Sequence, residues 1–80
     1  MTLDEKVELA VSVLMDTHLV QIFDVTREVL ELLEIQHIPV EAAGVALIEA
    51  VRCSPISAAA YLNVEACVRR FIAVEQEEVG

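Results

Sequence analysis

The sequence predicts an all-α domain, a small bundle of about four helices packed as a homodimer. Three observations carry that expectation. The 80 residues include two Gly, two Pro and one Asn, whereas an all-β chain needs a turn signal about every 8 to 12 residues. Apolar residues recur at the helical period in four separate stretches. Residues of the AVILMFWYC set make up 56% of the chain, more than one small core needs.

The first stretch opens with Thr2 followed by Glu5, the spacing of a capping box. Leu3, Val7, Ala10, Val11 and Leu14 then share one face, which predicts a helix over residues 3–15. Val7, Leu9, Val11 and Val13 also alternate as a strand would, in a chain with thirteen Val and six Ile. A continued stripe would place His18 and Gln21 at its centre. A break near residues 16–18 is therefore expected, with Asp16 and Thr17 offering a new N-cap.

The second helix should run to about residue 36, burying Ile22, Val25, Val29, Leu32 and Leu33, and should stop before Pro39 because proline disfavours the helical conformation of Ile38. Pro39 suits the first turn of a third helix reaching about Arg52. Ser54 and Pro55 read as a cap and first-turn proline of a fourth. On the third helix Val40, Gly44, Leu47, Ile48 and Val51 form a bulky face, and Ala43, Ala46, Ala50 and Cys53 a stripe of small residues. The fourth carries Ile56, Ala60, Val64, Cys67, Phe71 and Val74 on one side and Ala59, Leu62, Ala66 and Ala73 on the other. Glu75 to Glu78 put acids at a helix C-terminus, against its dipole, so that end is expected to fray.

Residues 1–80 are long enough for one helical domain and too short for two cores. A monomer of this size is marginal, and burial between chains is the obvious remedy. The expected dimer interface consists of the small stripes, Ala43, Ala46 and Ala50 with Ala59, Leu62 and Ala66, because small side chains let helix axes approach closely.

Five Lys and Arg stand against fourteen Asp and Glu, a net charge of −9 that disfavours nucleic acid and anionic membrane as partners. No apolar run approaches the roughly 18 residues of a membrane span. Met-Thr-Leu-Asp-Glu-Lys lacks the basic start and apolar run of a signal peptide, so a cytoplasmic address with reduced Cys53 and Cys67 is expected. The spacing of these cysteines matches no zinc motif.

Catalytic chemistry is poorly supplied. The histidines are His18 and His37, each near a helix end, and nothing local pairs either with a cysteine. Two isolated glycines cannot build a phosphate-cradling loop. Size and acidity are shared with acyl carrier proteins, but Ser12, Thr17, Ser54 and Ser57 all lack the Asp-Ser-Leu setting of the carrier serine. Glu34-Ile35-Gln36-His37 has the Glu-x-x-His spacing of helical metal sites, which two chains together could complete.

The expected function is thus a non-enzymatic, cofactor-free interaction, accessory or regulatory module acting as a homo-oligomer. An amphipathic or basic protein partner would suit its acidic exterior. One variant is an antagonist that presents acid where a binding protein expects phosphate. The alternative is an oligomeric metal-binding protein using Glu34 and His37.

Overall fold

A computed structural model describes the backbone of residues 2–79 and the side chains of residues 2–74. Its elements are α1 (Leu3–Met15), a 3-10 turn (Leu19–Gln21), α2 (Ile22–Ile35), α3 (Val40–Arg52) and α4 (Ala58–Val79), with no strand among the described residues. The alternation from Val7 to Val13 lies wholly within α1. The buried residues of α1, Val7, Ala10, Val11 and Leu14, follow the helical period.

Thr2 caps α1 as its spacing requires. The Glu5 backbone N–H donates to Thr2 Oγ1 at 3.2 Å, and the Thr2 hydroxyl in turn donates to Glu5 Oε1 at 3.2 Å. The expected break after Met15 occurs, but Thr17 does not cap α2. Its hydroxyl reaches back to the Val13 carbonyl at 2.6 Å and closes α1 instead, and the 3-10 turn leads into α2.

α2 is rotated relative to the face read from its sequence. Its buried residues are Ile22, Thr26, Leu30 and Leu33, while Val25 and Val29 are half-buried and Leu32 is exposed. Thr26 can enter the core because its hydroxyl donates to the Ile22 carbonyl at 2.7 Å, leaving no unsatisfied polar atom.

The end of α2 has a specific geometry. His37 takes φ 65°, its N–H donates to the Glu34 carbonyl at 2.9 Å, and the Ile38 N–H donates to the Leu33 carbonyl at 3.1 Å. These two bonds form a Schellman cap with His37 in the left-handed position usually held by glycine. Pro39 follows as the N-cap of α3, and its carbonyl accepts the Ala43 N–H at 2.9 Å.

α4 begins later than Ser54 and Pro55 suggest. Ser54 Oγ donates to the Ala50 carbonyl at 2.8 Å and so finishes α3, while Ser57 Oγ accepts the Ala60 N–H at 3.2 Å and caps α4. The intervening connection lets Ile56 pack on the core. The acidic run expected to fray is helical to Val79, and its side chains lie outside the described residues.

α3 is the central element, touching each of the other three helices. α1 rests mainly on α3, α4 lies against both α2 and α3, and α1 meets α2 only lightly. Leu47 and Val51 of α3 and Val64 of α4 are fully buried at the centre, with Leu14, Leu30, Val68 and Cys67 around them. Burying an aliphatic side chain of this size is worth about 1.5–3 kcal/mol, so this cluster dominates the cohesion of the fold. The Cα trace measures 36 × 27 × 17 Å, a short axis that two layers of helices about 8–10 Å apart fill. Helices in so thin a body keep one side at the surface.

Candidate functional site

α2 and α4 bound a groove of roughly 510 Å³, the size of a small-molecule site. The direction of its walls follows from neighbouring contacts. Gly44 of α3 lies against Val68 and Ile72, while Arg52 at the other end of α3 donates to the Tyr61 hydroxyl at 3.3 Å, so α3 and α4 run antiparallel. Ile22 at the start of α2 shares a pocket with Ser57 and Ala60 at the start of α4, and Glu31 and Glu34 share the groove with Arg70 and Val74, so α2 and α4 run parallel.

The groove can therefore be read turn by turn. At its base the Cys67 thiol donates to the Phe23 carbonyl at 3.3 Å. One helical turn further along, Arg27 on α2 stands level with Arg70 and Phe71 on α4. Beyond them lie Glu31 and Glu34, with Val74 opposite. Two of the four arginines in a chain of net charge −9 thus line one cleft.

Burial pushes the Cys67 thiol up to about 11; the positive charges of Arg27 and Arg70 act to lower it, and Asp24 and Glu31 to raise it. Loss of hydration prevails over the arginines, so the thiol is a neutral donor at the groove floor rather than a thiolate nucleophile. Cys53 is exposed, and both cysteines are free.

The small stripes expected at a dimer interface divide. Ala43 is buried in the core at 1% exposure, and Ala46 and Ala50 are half-buried against it. Of the α3 stripe, Ala43 is thus taken up by the core and Ala46 and Ala50 keep part of their surface, while on the bulky face Gly44 lets α3 sit close against Val68. Ala59, Leu62 and Ala66 are exposed on the outer side of α4.

Glu34 and His37 do not form the aligned pair that their spacing suggests. The positive φ of His37 takes it out of the helix, so the i, i+3 alignment is broken. Among the described residues no group of three or more His, Cys, Asp and Glu side chains is placed to hold a metal ion.

Sequence reasoning missed where exposed apolar surface collects. Of the ten large apolar residues exposed among those described, seven lie between α1 and the end of α2: Leu9, Val13, Met15, Leu19, Val20, Leu32 and Ile35. A hydrogen bond from Lys6 Nζ to Gln36 Oε1 sets the start of α1 beside the end of α2. From that anchor Leu9 and Val13 follow Lys6 along one edge of α1, and Leu32, Val29 and Val25 precede Gln36 along the edge of α2 that carries it. Leu9, Val13 and Leu32 are 55%, 53% and 57% exposed, and Val25 and Val29 are half-buried beside them. The missed signal was Leu30. It shares the core face with Ile22, Thr26 and Leu33, which turns Leu32 outward.

Among the described residues no helix is long and apolar enough to cross a membrane. Comparison with protein-family models, curated proteins and solved structures finds no match to this chain.

Proposed function

We propose that this chain is a non-enzymatic cytoplasmic interaction module that works as a homo-oligomer, associating with a second copy through the α1–α2 seam. The observation that carries the reading is the line of exposed Leu9, Val13 and Leu32 with Val25 and Val29 beside them. A contiguous apolar strip of this kind on a small charged protein marks a contact surface. A twofold contact would bury the same strip on both copies. The light packing of α1 on α2 favours further cover at this place.

The net charge of −9 argues for a protein partner over nucleic acid or anionic lipid. It also makes the copies repel one another, so apolar burial must supply the attraction. The protonated Cys67, tied to the Phe23 carbonyl, supports the non-catalytic part of the reading. Sedimentation velocity at micromolar concentration tests the association, with Leu32→Lys as the disrupting variant. A dimer that Leu32→Lys separates into folded monomer is expected, and a wild-type monomer would refute the reading.

A further inference from the structure

We propose that the α2–α4 groove is a binding site for a small amphipathic acid, a monocarboxylate with an apolar tail. Its carboxylate would lie between Arg27 and Arg70, and its tail would cover Phe23, Cys67 and Phe71. The site is separate from the proposed dimer seam: Phe23 and Arg27 of α2 line the groove, and Val29 and Leu32 do not.

The size, lining and charge order of the groove together select this ligand class. Roughly 510 Å³ accommodates a small molecule. The base is apolar, and its one polar hydrogen, on Cys67, already donates to the Phe23 carbonyl. A hydrocarbon there leaves no donor unpaired. Arg27 and Arg70 both line the cleft, and both bear electrostatically on the thiol at its base. Such donors suit a carboxylate, which accepts paired N–H bonds from arginine.

Arg27 also meets Asp24 at 3.6 Å, with both side chains more than half exposed, a contact weak enough for a bound carboxylate to displace. Glu31 and Glu34 follow Arg27 along α2 and disfavour a carboxylate placed further toward that end. The head is thus confined to the arginine level, and the tail is directed to the Phe23 end.

The test is titration of the full-length, uniformly 15N-labelled protein with octanoate, followed by amide chemical shifts, with octan-1-ol as the uncharged control. Octanoate should move the amides of Phe23, Arg27, Cys67 and Phe71 and bind at least about tenfold more tightly than octan-1-ol. The Arg27→Gln/Arg70→Gln variant alters only exposed head groups, so it should stay folded. It should lose that preference while still binding octan-1-ol. Equal affinity for acid and alcohol, shifts confined to α1 and the α2 edge facing it, or no octanoate binding would each overturn the proposal.

Discussion

Gly44 and Val68 meet where α3 and α4 approach most closely: a Cβ on Gly44 would lie 2.7 Å from Cγ1 of Val68 and 3.5 Å from Cδ1 of Ile72. Val68 is 1% exposed, and its branched side chain has few other rotamers to adopt. Gly44→Ala gains about 1 kcal/mol of helix propensity. The overpacking it causes costs about 1–3 kcal/mol. We expect a net destabilisation in urea unfolding, and a smaller effect of Gly44→Ala when position 68 is already alanine. A double-mutant cycle with no coupling between the two positions would contradict the close approach.

His37 at φ 65° closes α2 in a conformation that suits glycine better than histidine. His37→Gly should therefore raise stability by about 0.5–1 kcal/mol, and His37→Val should lower it by more, since a branched side chain is strained there. Thermal or urea unfolding of the pair checks both signs. A destabilised glycine variant would mean that the histidine ring holds a contact more valuable than the strain it costs.

The four helices were legible because Thr2, Pro39 and the sparse turn residues punctuate strong periodicities. Some boundaries were not, because local competition decides them: Ser57 caps α4 in place of Ser54, which is engaged with the Ala50 carbonyl. The buried face of α2 was misread for a related reason. Thr26 counts as polar in sequence, yet its hydroxyl is satisfied inside its own helix and it enters the core. With the face turned by that residue and Leu30, Leu32 reaches the surface. The α2–α4 groove was out of reach altogether, since it depends on two distant segments lying parallel.

Cys67 should resist modification and leave a mark on the pH dependence of stability. Cys53 is exposed and should react promptly with a thiol reagent at pH 8, while Cys67, protonated up to about 11, should react only as the protein opens. The unfolded thiol ionises near 9.0, so between that value and about 11 the unfolded chain holds fewer protons than the folded one. Stability from this group is complete below about pH 9 and falls as pH rises toward 11. Cys67→Ala should flatten that decline relative to wild type. An unchanged alkaline slope would contradict a buried, protonated thiol.

Association between copies of net charge −9 should respond to salt in a characteristic direction. Screening reduces their mutual repulsion without weakening apolar contact, so the dimer should tighten between low and physiological ionic strength. Concentration-dependent sedimentation at two salt levels measures this. Weakening on added salt would indicate an interface held by ion pairs instead of the apolar seam.

The central claim is the seam itself, and sedimentation velocity of wild type beside Val13→Lys, Leu32→Lys and Ala66→Lys tests it most directly. Lysine reduces the magnitude of the net charge, so lost association cannot be attributed to added repulsion. All three positions are exposed in the monomer, and such substitutions should leave its stability within about 0.5 kcal/mol. The account predicts a wild-type particle of twice 8.8 kDa, folded monomers for Val13→Lys and Leu32→Lys, and an intact dimer for Ala66→Lys on the outer side of α4. A monomeric wild type, or a dimer that Ala66→Lys breaks and Leu32→Lys spares, would contradict it.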